Sequence, residues 1–176
     1  SVFKRLNYEN DSEDQVVNST VLRGDILYIG TDNGLIAYNQ SEEQCVSNEL
    51  TQRLEGVRVR CVYNDSADNL WACTSGKGIY CFSNDNTLKV YDSSNGANGN
   101  KFRTITQLVD GTVLAAGDSG LTFIKNGTVT ETIGYQEGMA NTKVLCVIKK
   151  DGGILLAGTD GNGIDVIKNG KVRTQA

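Results

Sequence analysis

One short pattern occurs four times in this chain: an apolar run, a small residue, then a loop of Gly, Asp, Ser and Asn, then a second apolar run. The copies are LYIGTDNGLIAY from Leu27, LWACTSGKGIYCF from Leu70, LAAGDSGLTFI from Leu114, and Ile154-Leu155-Leu156-Ala157 followed by Gly158-Thr159-Asp160-Gly161-Asn162-Gly163-Ile164. Taking the residue after each apolar run as an anchor gives Gly30, Cys73, Gly117 and Gly158, spaced by 43, 44 and 41 residues. A fixed period of about 40–45 residues means an array of one supersecondary unit, so the repeat must be read before any single segment.

Each copy reads as strand, tight turn, strand. Glycine admits positive φ, and Asp or Asn side chains bond the local backbone, so the loops suit tight turns. Asn126-Gly127 and Asn169-Gly170 sit between β-rich runs at matching places in the third and fourth copies. An Asn-Gly pair suits a type I′ turn, which needs positive φ at both positions, so the third and fourth strands of a unit form a hairpin. The expected fold is all-β: a β-propeller of four four-stranded antiparallel blades, forming part of a larger propeller. The blades fall at about 16–49, 57–92, 101–133 and 142–175, in one segment 1–176. Such a unit has open faces and edges and is stable only against its neighbours.

Between these landmarks, Val2 to Tyr8 reads as the outer strand of a preceding blade, and Asn48 to Gly56 as a polar connection with room for a helical turn. Val59 to Tyr63 reads as a doubly buried inner strand, and Asp92 to Asn100 as a mobile low-complexity loop. The chain ends on the outer strand KVRTQ, which makes five outer strands for four blades. The bare sides of an excised arc are sticky. They predict that two copies pair into an eight-bladed ring, a homodimer.

Composition removes several functions. The chain has no histidine, hence no Ser-His-Asp triad, no His-ligated metal and no phospho-accepting His. The net charge of −4 argues against a nucleic-acid partner or an anionic membrane surface. No apolar stretch reaches the length of a bilayer span, so no membrane contact is expected of this segment. The cysteines Cys45, Cys61, Cys73, Cys81 and Cys146 contain no CxxC pair. Cys61 and Cys146 both lie twelve residues before their anchors, and are expected to pack as buried apolar thiols.

The repeat resembles the two-component regulator propeller repeat. The form of that repeat is an inner strand, Asp-x-x-Gly-x-Leu-Trp-x-Gly-Thr, a Gly-rich loop and Gly-Leu-x-x-Tyr/Phe. Here it reads DSADNLWACTSGKGIYCF and ILYIGTDNGLIAY, and less faithfully GTVLAAGDSGLTFI and GGILLAGTDGNGIDVI. Cys73 stands for the usual Gly, and Tyr28, Ala115 and Leu156 for the Trp. The resemblance covers the chain in four units. It implies a non-catalytic sensor propeller on the extracytoplasmic (periplasmic or cell-surface) side of a membrane-anchored parent of the two-component type. It also implies perception of a carbohydrate or other small ligand. The alternative is a protein–protein interaction scaffold.

Alternating strand directions put the second-to-third loops of all blades and the inter-blade connections on one face. The candidate ligand-binding residues there are Asp32, Asn33, Arg58, Ser75, Lys77, Arg103, Asp118, Ser119, Tyr135, Asp160 and Asn162. Polar side chains with an aromatic suit a sugar. The same residue types also simply form turns. Asp32, Asp118 and Asp160 recur with the repeat, so glycosidase-like pairing is the weaker account of them. Asp160-Gly-Asn-Gly and Asp92-Ser-Ser-Asn-Gly lack the distal Glu of a calcium loop. No metal and no cofactor is expected.

Overall fold

The computed structural model describes residues 15–175, the last two by backbone alone. The strand expected over Val2 to Tyr8 lies outside the described residues. The rest is four antiparallel sheets of four strands, each in meander order. Blade one comprises β1 (Val17–Arg23), β2 (Ile26–Thr31), β3 (Gly34–Asn39) and β4 (Gln44–Val46). A short helix, α1 (Glu49–Arg53), leads to blade two: β5 (Val59–Asn64), β6 (Leu70–Thr74), β7 (Ile79–Phe82) and β8 (Leu88–Tyr91). Blade three comprises β9 (Phe102–Gln107), β10 (Val113–Gly117), β11 (Gly120–Lys125) and β12 (Thr128–Ile133). Blade four comprises β13 (Val144–Lys150), β14 (Ile154–Thr159), β15 (Ile164–Lys168) and β16 (Lys171–Gln175). The β-propeller architecture expected from the repeat is therefore present.

The turns form for the reasons their sequences give. Asn126 and Gly127 have φ of 51° and 73°, Asn169 and Gly170 of 52° and 70°, the double positive φ of a type I′ hairpin. The helix α1 starts because the Asn48 side chain accepts from the Thr51 amide while the Asn48 amide donates to the Thr51 hydroxyl. The helix and its C-cap insert Leu50 and Leu54, both fully buried, between blades one and two. Each contributes about 2 kcal/mol of apolar burial.

The core is a stack of layers between blades. Tyr28, Leu35 and Ala37 of blade one meet Val59, Val62, Leu70 and Phe82 of blade two. Trp71, Cys73 and Ile79 meet Phe102, Ile105 and Ala115. Leu114, Leu121 and Ile133 meet Val144, Leu155 and Ile167. Inner strands touch in chain order, β1 to β5 to β9 to β13. Among the described residues no comparably extensive contact joins blade four to blade one.

Strand register corrects the alignment of the copies. Thr31, Thr74, Gly117 and Thr159 pair with Val17, Val59, Phe102 and Val144, and a bulge follows in every inner strand. The residue matching Gly30, Cys73 and Gly158 is therefore Ala116, not Gly117, and the period becomes 43, 43 and 42. The residue at the Trp place in blade three is accordingly Leu114 rather than Ala115.

Three further expectations change. Only Val59 and Val62 of β5 are buried; Arg60, Cys61 and Tyr63 are half-buried, with Cys61 and Tyr63 packed at the margin of the layer between blades two and three. Cys61 is half-buried and Cys146 exposed, since blade three covers the first and no described residue packs over the second. Cys73 and Cys81 are buried, and burial pushes the Cys81 thiol up to about 11 and the Cys73 thiol well above its ordinary value. Such thiols are packing groups rather than nucleophiles. Finally, the 92–100 stretch is a held structure and not a loose loop. Asp92 caps a single 3-10 turn (Ser93–Asn95), Ala97 is buried, and the Asn98 amide donates to the carbonyls of Ser119 and Ile133. No described helix is long and apolar enough to cross a membrane.

Candidate functional site

The second-to-third loops and the inter-blade connections do meet at one end of the blades. Gly56 N–H donates to the Asn33 carbonyl, Gly76 and Gly78 N–H to the Asn100 carbonyl, and the Thr142 hydroxyl to the Asp118 carbonyl. One backbone bond repeats in every blade. The amides of Asp32, Ser75, Asp118 and Asp160 donate to the carbonyls of Val16, Arg58, Lys101 and Lys143. These four loop residues are thus structurally equivalent, as are the four residues before the inner strands. The bulge residues that follow are Asn18, Arg60, Arg103 and Leu145.

Electrostatics link these positions. Arg58 Nε lies 2.6 Å from Asp32 Oδ1, and Asn18 Nδ2 donates to the same oxygen at 2.8 Å. The bond from Asn18, with help from Arg58, holds the Asp32 carboxyl below its ordinary range. Arg103 Nε pairs with Asp118 Oδ1 at 2.8 Å. Lys143 pairs with Asp160 and lowers its carboxyl likewise. Each recurring aspartate is therefore paired with a cation of its own.

The remaining candidates divide. Ser119 and Tyr135 come together in a cavity of about 400 Å³ with Asn98, Thr132, Gly134, Gln136, Glu137 and Thr142. Tyr135 is 67% exposed at its mouth, and Glu137 Oε2 accepts from the Gly134 amide at 2.7 Å. Ser75 and Lys77 stand exposed in the blade-two loop, Asn33 in the blade-one loop and Asn162 at the blade-four tip. None of these four lines that cavity. Sequence reading missed Arg60, Lys143, Asn98, Glu137 and Thr142. Lys143 was within reach, since it precedes an inner strand as Arg58 does; Arg60 was not, because its place depends on the bulge. Another cavity, of about 500 Å³, lies at the opposite end between blades three and four, where Leu108, Phe123, Leu155 and Ile167 line it together with Asp110, Glu131, Lys149 and Asn169.

No family model matches the chain, and no curated protein matches it. Solved structures share its fold. The extracellular domain of BT3049 from B. thetaiotaomicron, described as a hybrid two component system, superposes with a TM-score of 0.76 at 14% identity, over 93% of this chain and 25% of that one. The extracellular domain of BT4673 from the same organism gives 0.73 at 16% identity, over 98% and 27%. Virginiamycin B lyase from Staphylococcus aureus gives 0.69 at 14% identity, over 93% and 56%. The chain spans about a quarter of the length of the two extracellular domains.

Proposed function

We propose that the chain is a non-catalytic, ligand-sensing propeller segment of a membrane-anchored, two-component-type signalling protein, working on the extracytoplasmic side. Its loop-face cavity takes a carbohydrate or a similarly polar small molecule. The observation that carries this reading is the cavity around Tyr135, whose size is that of a small-ligand site. An exposed aromatic ring offers a face for stacking, and Ser119, Thr142, Gln136 and Glu137 offer hydroxyl, amide and carboxylate partners. The pairing of every recurring aspartate with a cation supports binding rather than hydrolysis. Likeness to extracellular domains of sensor proteins supports the setting. A panel of neutral mono- and oligosaccharides, scored by thermal shift and titration calorimetry, tests it. At least one is expected to stabilise the chain saturably, and Tyr135→Ala to weaken it about tenfold through lost stacking. A panel with no saturable member, or an unchanged response in Tyr135→Ala, overturns the reading.

A separate observation supports self-association. The face of blade four turned away from blade three carries Cys146, Ile148, Ile154, Leu156, Ile164 and Val166. Ile148 is 58% and Ile164 47% exposed. The equivalent faces of blades one, two and three each carry the next blade. We propose that a second copy of this chain seats its blade one there, where Val16, Val17 and Leu22 are also exposed. Repeated on both sides, this contact gives the two-copy ring. Sedimentation at rising concentration is expected to show a dimer that Ile148→Asp dissociates. A monomer mass throughout sinks the idea.

A further inference from the structure

We infer that the inner rim of the loop face is an anion-binding site, in which Arg60, flanked by Arg58 and Arg103, takes a carboxylate or sulfate group. The repeat itself defines the vacancy. In blade one the bulge residue Asn18 bonds the loop Asp32, and in blade three the bulge residue Arg103 pairs with the loop Asp118. Arg60 is the bulge residue of blade two, and there the equivalent loop residue is Ser75, which carries no charge. Arg58, preceding the same strand, turns instead to Asp32 of blade one. Among the described residues Arg60 takes part in no ion pair.

The surroundings make that surplus matter. Arg60 is half-buried, and loss of water together with the neighbouring charges of Arg58 and Arg103 disfavours its charged form. Asp32 and Asp118 act on it in the opposite sense, but each already serves another cation. The inner-strand positions of the rim hold Arg58, Arg60, Lys101, Arg103 and Lys143 against the three loop aspartates. A positive rim on a chain of net charge −4 is a local arrangement and not a general property of its surface. A guanidinium with unspent donors and two like charges beside it is relieved by a planar oxyanion, which can take two parallel N–H bonds at once. The site is separate from the cavity at Tyr135, whose lining does not include Arg60, so neither depends on the other.

The test uses the full chain with sulfate and glucuronate as probes, at constant ionic strength made up with chloride, and glucose as the uncharged control. Calorimetry and thermal shift are expected to show saturable binding of both anions that depends on Arg60, whereas any response to glucose is the same in wild type and Arg60→Gln. Arg60→Gln should weaken that binding about tenfold, as loss of a charge-assisted bidentate partner does. Ser75→Asp restores the aspartate that the other blades possess. It should leave the chain at least as stable and abolish anion binding, because the new carboxylate occupies Arg60. Lys168→Gln, on the outer part of blade four, should change nothing. Equal responses in wild type, Arg60→Gln and Ser75→Asp, or a response to sulfate that chloride reproduces, overturn the inference.

Discussion

Converting Gly117 to threonine is expected to destabilise the chain by about 3 kcal/mol, the cost of forcing a side chain into filled space. Repeat logic points the other way. Thr31, Thr74 and Thr159 hold the matching place in the other blades, and each hydroxyl donates to a loop carbonyl, of Gly34, Gly78 and Gly163, at 2.8–3.0 Å. A consensus substitution would supply the missing bond. The local backbone forbids it. At Gly117 the inner strand crosses so near that a Cβ would overlap the Lys101 carbonyl oxygen and stand 2.7 Å from Phe102 Cα. Those are backbone atoms, so no side-chain rotation relieves the contact. Phe102 is itself almost fully buried in the layer between blades two and three, which resists the shift a threonine would need. Thermal unfolding should show a midpoint lower by roughly 10 °C. An unchanged or raised midpoint would mean that β9 moves aside at little cost, and that the blade-three register is soft.

The same position shows what the sequence could and could not convey. The four Gly- and Asp-rich loops were legible because turn chemistry is local: a positive φ or a side chain capping its own loop leaves its mark within a few residues. So were the two Asn-Gly hairpins. From these the blade plan follows. Register is not local. Sequence spacing aligns Gly117 with Gly30 because both follow an apolar run, yet pairing with Phe102 makes it the counterpart of Thr31. Arg60 was hidden for the same reason. In the string VRVRCV it looks like one polar step of an alternating strand. Its importance comes from a bulge in its own strand and a serine fifteen residues later. The 92–100 stretch looked mobile because its Gly, Ser and Asn content resembles that of loops. Its order comes from partners such as the Ser119 and Ile133 carbonyls, far along the chain. Half-burial of β5 likewise depends on the layer it shares with blade three, which no single blade encodes.

Removing the Asp65 carboxylate should cost ~3 kcal/mol, because it strands several buried donors at once. Asp65 is only 8% exposed. One oxygen accepts from the amides of Ala67 and Asn69, and the other from Asn69 Nδ2 and the Trp71 indole at 2.8 Å. One carboxylate therefore shapes the β5–β6 turn, where Asp68 has a φ of 60°, and also fixes the ring that packs between blades two and three. Trp71 lies stacked on Tyr91 with centroids 5.8 Å apart, so an indole released from Asp65 loosens a layer and not just a turn. Asp65→Ala should lower stability and red-shift the emission of Trp71, the chain's one tryptophan. Trp71→Phe alone should cost less, since most of the ring's apolar contact survives. In the double variant the two losses should fall short of their sum by about 1 kcal/mol, as expected for residues in direct contact. Strict additivity would show that the turn and the inter-blade layer are held independently, and that the aspartate and the tryptophan of the repeat sit together without supporting one another.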